Sequence, residues 1–414
     1  MTHLLSFRNF FYREGKNNPE KLERFVAPPY DVISEEEECE FKNKDPQNIS
    51  HIILPESYKE AGIQLDKMIE DGSLICEDDR CICIYGIDYE HPETGEQISR
   101  YGFVGLLRLV DIFPPSNGVI PHEATFKKYL KDRLNLIRET DGNFSPIFTI
   151  YDGKGAADKI FKKYISKEPH LKTKDRDGFT HKIWEVWKEK DIKKFEKIVK
   201  SNKIIIADGH HRYITSLRHS KNGGCNYIMA LFIDFNDPGL VIFTSHRQVH
   251  RMPIGSVSQL KKKAERYFII KEVDTCTILK EKLINNKDNH VFGCYFQNSY
   301  LFIKLKEKIQ PEKIISGNKP DEWKRLDIPI LHNILFEKCL NIKKENIDFI
   351  KDHQKGIKNV DEGKIEALFL VNPTQLREVQ EITNLGEIMP QKSTYFYPKP
   401  LSGLVIHKHT DTIE

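Results

Sequence analysis

The sequence predicts an α/β (α+β) protein of two domains, and three observations carry that prediction. Short β-branched runs alternate along the chain with stretches of helical spacing, as strands and helices do when they pack in layers. Two neighbouring segments, residues 81–89 and 100–110, alternate apolar and polar positions around the turn-forming Pro92-Glu93-Thr94-Gly95, the pattern of an antiparallel hairpin. The length, 414 residues, exceeds what one hydrophobic core usually organises.

Composition narrows the function classes. Hydrophobic residues make up 39% and charged residues 30%, enough apolar material to exclude wholesale disorder. The 64 basic and 61 acidic residues leave a formal charge of +3, which gives no general field for nucleic acid or an anionic membrane. No run approaches the ~18 apolar residues of a membrane span, and the first residues lack the charged-then-apolar pattern of a secretory signal. A cytoplasmic protein is therefore expected. Of eight cysteines, only Cys81 and Cys83 lie close together; on one strand face they form neither a zinc knuckle nor a redox pair, and buried thiols are expected.

Taken in order, the elements begin with Ala27-Pro28-Pro29-Tyr30-Asp31, where two prolines stiffen the loop that carries Tyr30 and Asp31. Ser34, followed three residues later by Glu37, predicts a helix with a capping box. Residues 51–56 read as a strand ended by Pro55, and 58–71 as a helix. Past the hairpin comes a polar cluster, Pro121-His122-Glu123-Ala124-Thr125-Phe126, with His122 and Glu123 in a loop after an apolar strand end. Leu130, Leu134 and Ile137 then mark a helix with Arg133 on another face. Asn143-Phe144-Ser145-Pro146 turns the chain into a strand over 147–151. Residues 152–180 are polar and lysine-rich, 181–187 form a strand and 190–200 a helix.

The stretch the chain is organised around follows. Ile204-Ile205-Ile206-Ala207 is a short β-branched run, as a strand buried on both faces would be. Asp208-Gly209 permits a sharp turn, and a helix starts at His210-His211-Arg212. Its first turn offers backbone N–H donors and the positive end of the helix dipole, to which two histidines and an arginine are added, a pattern suited to phosphate. A plain helix start, with Asp208 as N-cap and a solvated first turn, fits the same residues.

Beyond it, 227–235 and 240–244 read as an apolar pair of strands, the second ending at His246 and Arg247. A linker near 252–256 divides a domain of residues 1–251 from one of 252–414. The latter holds strands over 291–296, 300–305 and 367–371, with helices over 328–340 and 374–383. The aromatic tail, Met389-Pro390-Gln391-Lys392-Ser393-Thr394-Tyr395-Phe396-Tyr397-Pro398, is expected to pack back on the body and to bring Lys392, Ser393 and Thr394 as hydrogen-bond donors to phosphate.

Six blocks together resemble the family known as domain of unknown function 1015: residues 27–34, 121–123, 132–134, 143–148, 207–213 and 389–398. Asp208-Gly209-His210-His211-Arg212 also resembles the phosphate-binding box of the ParB and sulfiredoxin superfamily. That resemblance implies a ParB/sulfiredoxin-like catalytic core with a second, C-terminal α/β domain. Sulfiredoxin chemistry needs a cysteine where this chain has His210 and His211, and no DNA-binding helix-turn-helix accompanies the box. In its chemistry the chain looks more like the kinases that phosphorylate free serine.

Phosphoryl transfer to an alcohol needs anion clamps, Mg²⁺ ligands and a base for the hydroxyl proton. On the kinase resemblance, Gly209, His210, His211, Arg212, Arg133, Arg247 and Lys392 would hold the donor's phosphates. Asp208 would bind Mg²⁺, and Glu123, with Asp31 as runner-up, would act as base; Asp208 and His211 complete the catalytic set. Tyr30, His122, Asn143, Ser393 and Thr394 would bind the acceptor, L-serine, giving O-phosphoserine. The chain lacks GxxxxGK[ST], GxGxxG and kinase catalytic-loop motifs, so pyrophosphate is the preferred donor, with ADP and ATP as alternatives. The expected partners are small molecules, not nucleic acid or membrane, for a monomer or homodimer. A phosphoserine phosphatase or pyrophosphatase, and a ParB-like nucleotide-dependent DNA-binding protein, are the rival readings.

Overall fold

The isoleucine run forms the strand Ile204–Asp208, buried as far as Ala207 and half-buried at Asp208, in a computed structural model that describes residues 2–409 apart from 17, 93, 113–117 and 124–126. Glu93 of the expected hairpin turn and Ala124, Thr125 and Phe126 of the polar cluster lie outside the described residues. Ile204–Asp208 runs parallel to Val119–Pro121 on one side and antiparallel to Ile147–Tyr151 on the other. Pairing on both edges and covering of both faces explain why four apolar residues follow without alternation.

From there the sheet continues through Tyr227–Asp234, Gln97–Arg108, Ile82–Glu90, Thr180–Val186 and Leu171–Lys174, with Leu4–Leu5 also paired to Gln97–Arg108; among the described residues it is a nine-stranded mixed sheet. The helices Asp158–Ile165 and Glu189–Ser201 supply Phe161 and Phe195 to its core. There Phe103 meets Phe195 at 4.5 Å and stacks on Phe232 at 5.0 Å between ring centroids. Together these elements belong to a first unit of residues 1–241 and 398–414.

The second unit comprises residues 242–397. It is built on a six-stranded antiparallel sheet in the order Phe268–Val273, Ser299–Leu305, Val291–Phe296, Ala367–Val371, His246–Val249, Ile347–Ile350. Val291–Phe296 and Ala367–Val371 are buried throughout, as their unbroken apolar character requires. The sequence reading placed the division after residue 251; the two units divide after 241, and residues 398–414 go with the first. No helix among the described residues is long and apolar enough to cross a membrane.

Several expected elements appear at or near their expected bounds. Ser34 caps Glu35–Lys44 with Glu37 closing the capping box. Two expectations fail. Residues 51–56 do not make a strand: Ser50–Ile53 is a helical turn, started by Asn48, whose side chain accepts the Ser50 N–H at 2.9 Å. A run of three apolar residues fits either period, and here a polar side chain upstream decides it. Tyr227–Asp234 does not pair with the short strand after it but inserts between Gln97–Arg108 and Ile147–Tyr151. The polar stretch 152–180 contains the helix Asp158–Ile165 and the strand Leu171–Lys174.

Candidate functional site

Gly209 makes the turn at the end of the central strand. Its φ of 90° lies in the left-handed region, and a Cβ there would come 2.8 Å from Cγ2 of Ile147, so both backbone and space favour glycine. The helix His210–Ser220 starts immediately after, with no side-chain cap. Asp208 is therefore not an N-cap, which removes the plain helix-start reading of that residue.

Instead, Asp208 is held between two cations. Its Oδ1 lies 2.6 Å from Lys399 Nζ, and its Oδ2 accepts from Arg212 Nη2 at 2.9 Å. Burial alone would raise the Asp208 pKa, but these two cations hold its carboxyl below the usual carboxylate range. Lys399 also reaches Oδ2 of Asp31 at 2.8 Å, so a single buried ammonium bridges the Tyr30-Asp31 loop and the central turn. Arg212 is equally engaged: Nη1 donates to the Ser145 Oγ and to the Ser145 and Pro146 carbonyls at 2.9, 3.2 and 2.9 Å.

Lys399 arrives on a segment that threads through the first unit. The N–H of Leu401 donates to the Tyr85 hydroxyl at 2.9 Å, and Ser402 exchanges backbone hydrogen bonds with Ala27. Gly403 N–H then donates to the Phe144 carbonyl at 2.8 Å, and His407–Lys408 pairs with Gly142–Asn143. One extended segment thus fastens the double-proline loop and the Asn143-Phe144-Ser145 turn, two blocks far apart in sequence. Proline on each side of Lys399 limits the backbone freedom that would otherwise be lost in placing it.

On the other side of the turn, the parallel pairing of Val119–Pro121 brings the next loop alongside. His122 N–H donates to His210 Nε2 at 3.2 Å, and the His122 ring donates from Nδ1 to the Ile206 carbonyl at 2.5 Å. His210 is buried, and desolvation, followed by the charges of His122, His211 and Arg212, pushes its pKa well below the ordinary histidine value. A neutral ring whose Nε2 accepts must carry its proton on Nδ1, which lies 3.9 Å from Glu123 Oε1. His210 therefore offers a neutral N–H rather than a positive charge. Glu123 is partly open, with 34% of its side chain exposed.

Tyr30 and Arg133 complete this face. The Arg133 guanidinium stacks 4.1 Å from the centroid of the Tyr30 ring, donates to the Ile53 carbonyl at 2.8 Å and pairs with Asp132 at 2.6 Å. Burial raises the Tyr30 hydroxyl pKa, with Arg212 opposing, so the phenol stays protonated at neutral pH. Tyr30, Arg133, Asn143, Ser145 and Arg212 line a cleft of about 60 Å³. That is small beside the roughly 300–1,000 Å³ of a typical ligand pocket, so a larger ligand would extend beyond the cleft. The Asn143 side chain is committed to the backbone, accepting the Met229 N–H at 2.9 Å.

Of the residues expected at the site, Tyr30, Asp31, His122, Glu123, Arg133, Asn143, Asp208, Gly209, His210, His211 and Arg212 fall in the first unit, and Arg247, Lys392, Ser393 and Thr394 in the second. There Arg247 is fully buried, donating to His332 Nε2 at 3.2 Å, to the Lys392 carbonyl at 3.3 Å and to the Ser245 carbonyl. The Ser393 hydroxyl is buried against the Pro390 carbonyl at 2.7 Å. Lys399 and Ser145 were missed. Both lie inside or beside the quoted blocks, and Pro398-Lys399-Pro400 was the available signal: a cation on a stiffened backbone. Each Asp208 oxygen is met by a cation, Arg212 at Oδ2 and Lys399 at Oδ1, so a Mg²⁺ bound there, directly or through water, would share the carboxylate with both.

Residues 6–328 match the family described as protein of unknown function (DUF1015). An ATP-dependent L-serine kinase of Staphylothermus marinus is 24% identical over 198 residues, covering 47% of this chain and 66% of that protein, slightly under two thirds of its length. Among solved structures, a free serine kinase in complex with AMP aligns at 13% identity with a TM-score of 0.34, over 74% of this chain and 99% of that one. A conserved hypothetical protein from Pyrococcus furiosus aligns at 14% identity with a TM-score of 0.33, over 71% and 94% respectively.

Proposed function

Because the chain belongs to the DUF1015 family and is distantly homologous to an ATP-dependent L-serine kinase, we propose that it is a small-molecule kinase that phosphorylates the hydroxyl of free L-serine. The observation that carries this reading is the meeting of sequence-distant segments at one strand-to-helix turn: Asp31, Glu123, Asp208, His210 and Lys399. We read the first unit as a ParB/sulfiredoxin-like core on the strength of that turn. The proposed donor is ATP, as for the curated relative. Pyrophosphate, favoured by the abundance of cationic residues, is the donor it is tested against.

In this reading the terminal phosphates lie over the start of His210–Ser220, where helix N–H groups and the Gly209 backbone meet negative charge. Lys399 turns from Asp31 and Asp208 toward the transferring group, in keeping with a cation held between two carboxylates until an anion arrives. Glu123 takes the serine hydroxyl proton as the serine oxygen bonds to phosphorus and the bond to the leaving phosphate oxygen breaks. His210 orients Glu123, and Tyr30 with Arg133 bounds the acceptor side. A Mg²⁺ ion bound with the donor would neutralise charge on the transferring phosphate.

Purified chain incubated with L-serine, Mg²⁺ and each of ATP, ADP and pyrophosphate tests this, with O-phosphoserine measured by mass spectrometry. Phosphoserine from ATP is the expected result. None from any donor overturns the kinase, and phosphoserine from pyrophosphate alone overturns the donor. Phosphate release without serine would favour a hydrolase.

A further inference from the structure

A second polar cluster lies at the opposite end of the same helix. Asp141, which follows Lys127–Thr140, accepts from His409 Nδ1 at 3.0 Å and faces His219 Nε2 at 3.9 Å. One ligand atom from each of the three lies within 4.8 Å of the other two. His409 is 7% exposed, and His219 keeps 15% of its side chain exposed. The Nε2 atoms of both histidines are buried and have no hydrogen-bond partner among the described residues. A buried ring nitrogen without a partner is costly, and that of His219, facing the carboxylate that His409 Nδ1 also reaches, marks a missing occupant.

Gly224 packs closely against the His219 ring, where a Cβ would come 2.2 Å from Nε2 and Cδ2, so only glycine fits there. Two further features suit an ion. Asp141 forms the rim, with 43% of its side chain exposed, which gives an entry path. Lys408, whose charge acts on Asp141, is paired with Asp66 at 2.7 Å. Donor atoms around a tetrahedral zinc lie about 3.3 Å apart, a value that the observed 3.0 and 3.9 Å bracket.

We propose that Asp141, His219 and His409 form a binding site for a divalent transition-metal ion, Zn²⁺ by ligand chemistry, that fastens the segment carrying Lys399 to the helix His210–Ser220. Two imidazoles and one carboxylate suit Zn²⁺ and its neighbours rather than Mg²⁺ or Ca²⁺, which prefer oxygen. A water molecule completes the coordination at the exposed rim. The site stands independently of the kinase reading, since none of its residues lies at the Asp208 turn.

The test is titration of ZnCl₂ into chelator-stripped full chain by calorimetry, with Co²⁺ as a visible-absorbing substitute. Wild type is expected to bind one equivalent at least tenfold more tightly than Asp141→Asn or His219→Gln, with a raised melting midpoint and a Co²⁺ d–d band that both variants lose. Asparagine tolerates the left-handed backbone at position 141, where φ is 46°, so that variant should fold. Equal affinity in wild type and either variant overturns the site, as does wild type with no Co²⁺ band. The orphaned nitrogens would then be bridged by water. If a variant fails to fold, the wild-type Co²⁺ spectrum alone decides between these outcomes.

Discussion

Lys399 Nζ lies 2.6 Å from Oδ1 of Asp208, the residue that ends the central strand. With only 8% of its side chain exposed, this lysine is the counter-charge for a carboxylate inside the proposed site and, through Asp31, for a second one.

Replacing Lys399 by methionine should therefore act twice. Two carboxylates lose a shared cation, at a cost of about 3 kcal/mol, the low end for a broken buried pair because Asp31 is partly solvated. Phosphoserine formation should fall about a hundredfold with the loss of a charge-stabilising group. Adding Asp208→Asn should recover stability but not activity. Recovery of both, in thermal melts and single-turnover assays, would reduce Lys399 to a structural role.

Arg212 has four acceptors fixed in place by the Ser145-Pro146 turn and Asp208. Lysine cannot serve that fork, so Arg212→Lys should lower stability by about 2 kcal/mol. Donor affinity, measured by calorimetry on the folded fraction, should change much less. A large loss of affinity with unchanged stability would contradict the assignment.

Glu123→Gln should lower kcat for phosphoserine formation by about 10²-fold or more while leaving donor Kd unchanged, as expected of a base that acts only in the transition state. Asp31→Asn, tested alongside, should lower kcat less. The reverse order would move the base to Asp31.

Glu185 supplies a test of the fold away from the site. Burial pushes its carboxyl up to about 7, with the Asn9 side chain opposing by a hydrogen bond of 3.0 Å. A carboxyl whose folded pKa is raised favours the native state while protonated. That contribution is complete below the unfolded value of 4.5 and is lost as pH rises through about 7. Glu185→Gln should accordingly be near neutral at pH 4 and stabilising by on the order of 3 kcal/mol at pH 8. Chemical denaturation at the two pH values checks this, and a pH-independent difference would rule it out.

What was legible in the sequence were features that local chemistry determines. Gly209 declares its turn because its φ of 90° suits only glycine, and Ser34 with Glu37 declares a helix start because both hydrogen bonds close within four residues. The parallel entry of Val119–Pro121, which brings His122 and Glu123 to the turn, needs a long crossover that no local pattern encodes. Lys399 escaped notice for the same reason. Its partners Asp31 and Asp208 are remote in sequence, and Lys392 offered the same chemistry in a more obvious block. His219 and His409 were invisible as a pair because their spacing matches no local metal motif.

The threading of residues 398–409 through the first unit has a consequence for biosynthesis. The ribosome makes the strands around Asp208 early, then all of residues 242–397, and only afterwards the segment that carries Lys399. Until that segment emerges, Asp31 and Asp208 lack their shared counter-ion, and the Ala27 and Phe144 backbones lack partners. A released chain that lacks residues 398–414 should hold a folded second unit and an incomplete, protease-sensitive first one. Maturation of the proposed active site is thereby tied to synthesis of residues 398–409.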